Sequence, residues 1–146
     1  MTVALSSKEA TKRIEEKFPG SVLEPSDKYL LVKSDSLYEI AAFLKDAPDL
    51  DFKYLSYITA VDYYDYFEAI YQLMSLEKNH TLVMKTRCYD RQNPALPSVY
   101  NLWQSADFQE REIFDLMGIT FQGHPNMKRI FLWDGFQGYP LRKDYL

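Results

Sequence analysis

The sequence predicts an α+β fold, an antiparallel or mixed β-sheet with helices packed on one face, followed by an extended C-terminal arm; the domain takes residues 1–117 and the arm residues 118–146. Three observations predict it. Apolar residues recur at helical spacing in two N-terminal stretches and again over 107–117. The period changes to two between Phe52 and Tyr89. From Gly118 onward no period survives, and four of the chain's 5 glycines fall there, with Pro125 and Pro140.

In chain order, Ser6 and Glu9 form a capping box, and Ala10, Ile14 and Phe18 share a face until Pro19-Gly20, which predicts a helix over roughly 7 to 18. Val22-Leu23 and Tyr29-Leu30-Leu31-Val32 flank the turn residues Pro25-Ser26-Asp27, a short hairpin. A second capping box, Ser36 with Glu39, opens a helix in which Leu37, Ile40, Ala41 and Leu44 line one face, and Pro48 closes it.

Segments of about 53 to 62, 67 to 76 and 81 to 89 are rich in β-branched and aromatic residues and predict an antiparallel meander. The first is apolar on both faces, so it is expected inside the sheet. In the third, Leu82, Met84 and Cys88 face the core and Thr81, Lys85 and Arg87 face out; Cys88 reads as a buried small hydrophobe. Tyr63, Tyr64, Tyr66 and Phe67 crowd one turn, either as core packing at a sheet end or as a partner surface. Asp90 to Pro97 reads as a loop, and Ser98 as the cap of a short helical turn carrying Val99, Leu102, Trp103 and Ala106.

The helix over 107–117 has both ends marked: Asp107 as N-cap, Glu110 three residues on, Gly118 as the stop. Leu116, Ile113, Met117 and Phe114 fall on one arc, and Asp107, Arg111, Asp115 and Glu112 on the opposite, solvent-facing one. Glu110 falls inside the apolar arc. It either caps the helix from its first turn or pairs with an arm cation such as Arg129 or Arg142, since an unpaired buried charge costs roughly 3–5 kcal/mol.

With 146 residues the chain is one domain by length, and its aromatic content of 16%, with 12 Tyr and 9 Phe, favours interfaces. Net charge is −4, yet the arm carries Lys128, Arg129, Arg142 and Lys143 against Asp134 and Asp144. That small basic excess is too little for a nucleic-acid groove. The single cysteine excludes an internal disulfide and a cysteine-ligated cluster, and two histidines make a His-based metal site unexpected. No apolar run approaches the ~20 residues of a membrane span, and the N-terminus lacks a signal peptide's apolar core.

A catalytic reading would use Glu110, Glu112, Asp115 and His124, with a stand-alone hydrolase on Glu110 and His124 as its sharpest form. Glu110 and Glu112, two apart on a helix, point to different faces and cannot act as a facing pair. His124, between Gly123 and Pro125, reads as a turn residue bonded to backbone. The arm is too apolar for free disorder, with Ile130, Phe131, Leu132, Trp133, Phe136, Tyr139 and Tyr145, and should lie on a surface of its own or another chain.

The run from Ser105 through Glu110-Arg111-Glu112-Ile113-Phe114-Asp115-Leu116-Met117-Gly118-Ile119, then Phe121-Gln122-Gly123-His124-Pro125, Arg129-Ile130 and Pro140-Leu141-Arg142-Lys143-Asp144-Tyr145, resembles the signature of the 30-kDa subunit of respiratory complex I, the C subunit of bacterial NADH:quinone oxidoreductase. Met117 departs from it, since members commonly carry Phe or Tyr there. The resemblance implies a subunit of a proton-translocating oxidoreductase with no cofactor and no catalytic residues of its own. Iron–sulfur clusters and quinone would sit in partner chains: the 49-kDa-like (D) subunit, the PSST-like (B) subunit and, as a further candidate, the 8-iron ferredoxin-like subunit. It implies a peripheral position on the cytoplasmic side of the cell membrane, reached through the complex. Carried over by position, Glu110, Arg111, Glu112 and Asp115 form a charged junction helix, Gly123, His124 and Pro125 a bend, and Arg129, Arg142, Lys143 and Asp144 docking contacts. An equivalent scaffold in a related membrane-bound hydrogenase or ferredoxin- or coenzyme-linked dehydrogenase is the alternative.

Overall fold

The computed structural model describes residues 3–5, 7–24 and 26–145. Three long strands form the centre: β4 (Tyr54–Asp62), β5 (Phe67–Ser75) and β6 (His80–Cys88), antiparallel in sequence order. The hairpin of β2 (Val22–Glu24) and β3 (Leu30–Val32) extends the sheet, β3 running parallel to β6, so the order is β2-β3-β6-β5-β4. A short β1 (Val3–Ala4) also pairs in parallel with β6. The sheet is therefore mixed, as expected.

Helices α1 (Ser7–Lys17), α2 (Leu37–Asp46) and α3 (Ala106–Met117) bring Ala10, Ile14, Leu37, Ile40, Leu44, Ile113 and Met117 into one core with Leu73, Leu82 and Met84 of the sheet. The Ser6 cap lies outside the described residues, as does Pro25 of the hairpin turn. Glu15 closes α1 from within, accepting the N–H groups of Gly20 (2.8 Å) and Val22 (2.9 Å). Ser36 ends a 3₁₀ turn and makes no side-chain cap bond.

Two expectations about the sheet fail. The first long strand, β4, is an edge and not an interior strand. A bulge between Leu55 and Tyr57 puts Leu55 and Ile58 both in the core, while Tyr54 and Tyr57 are exposed. Its second apolar row is amphipathic tyrosine, tolerable in water. The free edge is covered from α3: Gln109 accepts the Ile58 N–H at 2.6 Å and Ser105 donates to the Leu55 carbonyl at 3.3 Å. The segment Asp90 to Pro97 is not all loop either. Asp90 closes a turn on the N–H groups of Gln92 and Asn93, and β7 (Ala95–Pro97) then pairs in parallel with β8 (Thr120–Gln122). Proline is admitted because this two-stranded sheet is all edge. With Ile119 and Phe121 buried, the core continues past Gly118.

Candidate docking site

The site grows from α3, whose Gly118 adopts φ 79° and terminates the helix with its N–H on the Phe114 carbonyl (2.9 Å). A Cβ at Gly118 would lie 2.7 Å from the Arg142 guanidinium and 2.8 Å from the Tyr139 ring, so the arm packs directly against the bare backbone. Arg142 donates to the Met117 carbonyl at 2.6 Å and the Leu141 N–H to the Leu116 carbonyl at 2.9 Å. The arm thus satisfies the helix's last carbonyls, which a helix cannot satisfy by itself.

Asp115 corrects its placement on the solvent face: it is fully buried. One of its oxygens accepts three consecutive backbone N–H groups, from Ile130 (3.2 Å), Phe131 (2.6 Å) and Leu132 (3.0 Å), and the other faces Arg129 at 3.2 Å. Such a concave row of N–H groups is an anion receptor, occupied by the protein's own carboxylate. Burial alone would raise the Asp115 pKa, but the three N–H groups and Arg129 bring it below the ordinary value. Arg111 belongs to the same construction, donating to the carbonyls of Lys128 and Arg129, both at 3.0 Å, and not to Asp107 or Asp115 on its own arc.

Glu110 is fully buried, as its place in the apolar arc required, but no arm cation meets it. It accepts the Ser98 hydroxyl at 2.6 Å and the Val99 N–H at 2.9 Å, tying the start of the 98–104 turn to α3. Nor does it cap the helix. Burial pushes its carboxyl pKa upward, against those two bonds. Asp107 is not the N-cap: Ser105 holds that position, without a side-chain bond, and Asp107 lies in the first turn. There it meets His124, whose buried ring places Nε2 3.0 Å from Oδ1 and 3.2 Å from the carbonyl oxygen of Asp107. Nδ1 accepts the Asn126 N–H at 2.9 Å, which leaves the proton on Nε2. His124 is the backbone-bonded turn residue its neighbours implied, and Gly123, at φ 91°, makes the bend. Pro125 and Glu112 are exposed.

A second clamp was missed in the sequence. Asp62, at the end of β4 and 3% exposed, accepts a two-pronged bond from Arg91 (2.6 and 2.9 Å), the Tyr64 N–H (2.8 Å) and the Lys143 N–H (2.9 Å). Arg91 also reaches Asp144 at 3.2 Å. Led by the Arg91 bonds, these partners hold the Asp62 carboxyl far below the usual carboxylate range. The one sequence signal was an acid closing an otherwise apolar strand. Between the clamps, guanidinium and ring alternate: Arg91 and Arg142 lie 4.7 and 5.1 Å from the Phe67 centroid, Arg142 and Arg129 5.0 and 4.9 Å from Tyr139, and Arg129 5.6 Å from Phe136.

The expected docking residues thus separate. Arg111, Asp115, Arg129, Arg142 and His124 make internal bonds that shape the arm, Glu110 bonds the 98–99 turn instead, and Glu112, Lys143 and Asp144 are exposed, Asp144 still within reach of Arg91. Among the exposed side chains of the shaped arm are four large apolar ones: Phe131 at 65% exposure, Trp133 at 68%, Leu141 at 59% and Tyr145 at 41%. Among the described residues no group of three or more His, Cys, Asp or Glu is placed to hold a metal ion, and no helix is long and apolar enough to cross a membrane.

The family model described as the 30 Kd subunit of respiratory-chain NADH dehydrogenase matches residues 30–146. The chain belongs to this family. Within the 30-kDa family it is 42% identical over 117 residues to the C subunit, numbered 2, of the NADH-quinone oxidoreductase of Rhizobium etli, covering 78% of this chain and 62% of that one. It is 35% identical over 149 residues to the C subunit of the NADH-quinone oxidoreductase of Roseiflexus castenholzii, covering 97% and 85%. The match thus spans under two thirds of the Rhizobium relative and most of the Roseiflexus one. Among solved structures, a chain of the membrane-bound sulfane sulfur reductase, an archaeal respiratory membrane complex, superposes with a TM-score of 0.75 at 27% identity, over 94% of this chain and 84% of that chain. Family membership places the chain among subunits of multi-subunit respiratory complexes.

Proposed function

We propose that the chain is a cofactor-free structural subunit in the peripheral arm of a proton-translocating NADH:quinone oxidoreductase, docking onto the 49-kDa-like and PSST-like subunits that hold the quinone site and terminal iron–sulfur cluster. One observation carries this reading: two buried carboxylates and a helix end hold residues 129–145 in a fixed course, with large apolar side chains turned outward. Four exposed apolar groups on a clamped segment make a preformed surface, and preorganisation lowers the entropic cost of binding. Membrane attachment is then indirect, through the complex. The internal bonding of Glu110 and His124 supports a structural and not a catalytic role for both, against the stand-alone hydrolase.

The likeness to a sulfane sulfur reductase chain favours a second reading, an equivalent scaffold in a related membrane-bound oxidoreductase. Co-expression of the chain with the 49-kDa-like subunit of its own gene neighbourhood tests the proposal. A stable pair that is lost on combining Phe131→Ala with Trp133→Ala supports it; a chain that stays apart from that partner overturns it. The electron donor accepted by the purified complex separates the two readings.

A further inference from the structure

The sheet has a second face, opposite the one on which the core cluster gathers the helices; on its β3 side it is closed over, with Leu31 fully buried and Glu68 3% exposed. On β5 and β6 the residues Phe67, Ala69, Tyr71, Leu73, Leu82 and Met84 are buried against the helices, while Ile70, Gln72, Met74 and Val83, between them in sequence and therefore on the other face, are only partly buried in the middle of the sheet. Along β4 the same face carries exposed Tyr54 and Tyr57, opposite Met74 and Gln72. Tyr29 borders it over Lys85 (4.1 Å) and Tyr66 over Arg87 (4.4 Å), and Tyr66 touches Tyr63 and Tyr89 at 5.3 and 5.4 Å. Half of the chain's 12 tyrosines frame this face; among the described residues the core face has Tyr71 alone.

The charge on it is self-cancelling. Glu68 lies 3.7 Å from Lys85 and 3.2 Å from Arg87, Arg87 meets Glu24 at 3.0 Å, and tyrosine rings cover both cations. An anionic membrane or a nucleic acid needs unpaired cations, and the two cations that the strands place on this face, Lys85 and Arg87, are both paired. Net-neutral and rich in tyrosine, it matches the composition of protein interfaces. Size decides between a second copy and a different partner. Strand spacing and rise give the three long strands a footprint of about 430 Å², short of the roughly 800 Å² each partner buries in a standard interface. A partner that also holds the arm covers more, because the face is continuous with it: Tyr64, beside Tyr63, donates its hydroxyl to the Lys143 carbonyl at 3.3 Å.

We propose that this open, tyrosine-framed sheet face is a second docking surface, occupied by an uncharged surface of the same partner chain that takes the arm. The inference rests on the docking reading above. Tyrosine nitration with tetranitromethane, mapped by mass spectrometry, tests it on the free chain and on the co-expressed pair with the 49-kDa-like subunit. Tyr54, Tyr57, Tyr63 and Tyr89 are expected to react in the free chain and to lose at least fivefold in reactivity in the pair. Equal reactivity in both overturns the proposal. Gln72→Lys, which adds charge where the free chain tolerates it, is expected to lower recovery of the pair at least tenfold; if the variant fails to fold, the nitration result still decides. Wild-type recovery with Gln72→Lys, alongside loss with Trp133→Ala, overturns this surface and leaves the arm's role standing; wild-type recovery with both overturns the two together. A homodimer by light scattering that Gln72→Lys dissociates assigns the face to a second copy, and a nitration footprint made by RNA or anionic vesicles assigns it to those; either overturns the proposal.

Discussion

The carboxylate of Asp62 accepts the backbone N–H of Lys143 at 2.9 Å across 81 positions of sequence, while the same carboxylate holds Arg91 from both of its oxygens. A buried charge with four donors around it cannot lose its partners cheaply, so the course of the arm is set by the sheet's own end and not only by whatever the arm later meets.

Asp115→Ala is expected to destabilise the isolated chain by about 3–5 kcal/mol, because it strands Arg129 and three backbone N–H groups in a buried setting. Urea unfolding measures it, and limited proteolysis should cut first between residues 128 and 138. A loss below about 1 kcal/mol would show that the arm's N–H groups find water as readily as they find the carboxylate.

Acid should act on the clamps in a defined direction. Asp62, held down chiefly by Arg91, and Asp115, held down by its N–H groups against burial, have folded pKa values below their unfolded ones. Their stabilisation is complete above the unfolded value of about 3.9 and is lost as pH falls below it. Glu110 runs the other way. Burial raises its folded pKa, so its favourable contribution is complete below about 4.3 and is lost as pH rises through the folded value. Stability measured against pH should therefore fall more gently below pH ~4 in Asp62→Asn, and Glu110→Gln should flatten the decline on the neutral side. Unchanged slopes in both variants would count against the assignment.

Gly118→Ala and Gly20→Ala share a backbone φ of 79° but differ in surroundings: nothing lies within 4 Å of a Cβ at Gly20, whereas Arg142 and Tyr139 crowd Gly118. The substitution at Gly20 is expected to cost about 1–2 kcal/mol from the left-handed conformation. At Gly118 the arm must also shift, and the cost should exceed it by at least about 1 kcal/mol. Equal melting temperatures for the two variants would mean that the arm does not rest on the helix end.

Trp103→Phe removes the indole N–H that donates to the Phe52 carbonyl at 3.0 Å, and should cost about 1–3 kcal/mol by leaving that carbonyl unpaired. Denaturant titration of the free chain tests it. A change within about 0.5 kcal/mol would indicate that water reaches Phe52.

Much of the fold was legible because each long element buries one face at its own period. The β4–β6 meander, α1 and α2 match their expected spans to within a residue or two. The order of strands was less legible, since tyrosine reads as apolar in a pattern yet stands in water at an edge, and the bulge at Leu55 and Tyr57 scrambles the alternation. Glu110 was correctly seen to be anomalous, but its partners come from the 98–99 turn, a local return of chain that a helical wheel does not contain. Asp115 was placed in solvent by the same wheel, which knows nothing of a later segment lying over the polar arc. The β7–β8 pair joins two segments too short to carry any period. Asp62 gave little signal because its role depends on backbone N–H groups, which every residue but proline possesses.

The two tryptophans stand in opposite surroundings, Trp103 in the core at 4% exposure and Trp133 on the arm at 68%, edge-on to Phe136. Their fluorescence should separate accordingly, a blue emission shielded from acrylamide and a red one open to it. The chain therefore carries its own optical reporters: a partner's arrival would be read as protection of the red component, and collapse of the body as loss of the blue one, in a single spectrum and without a label.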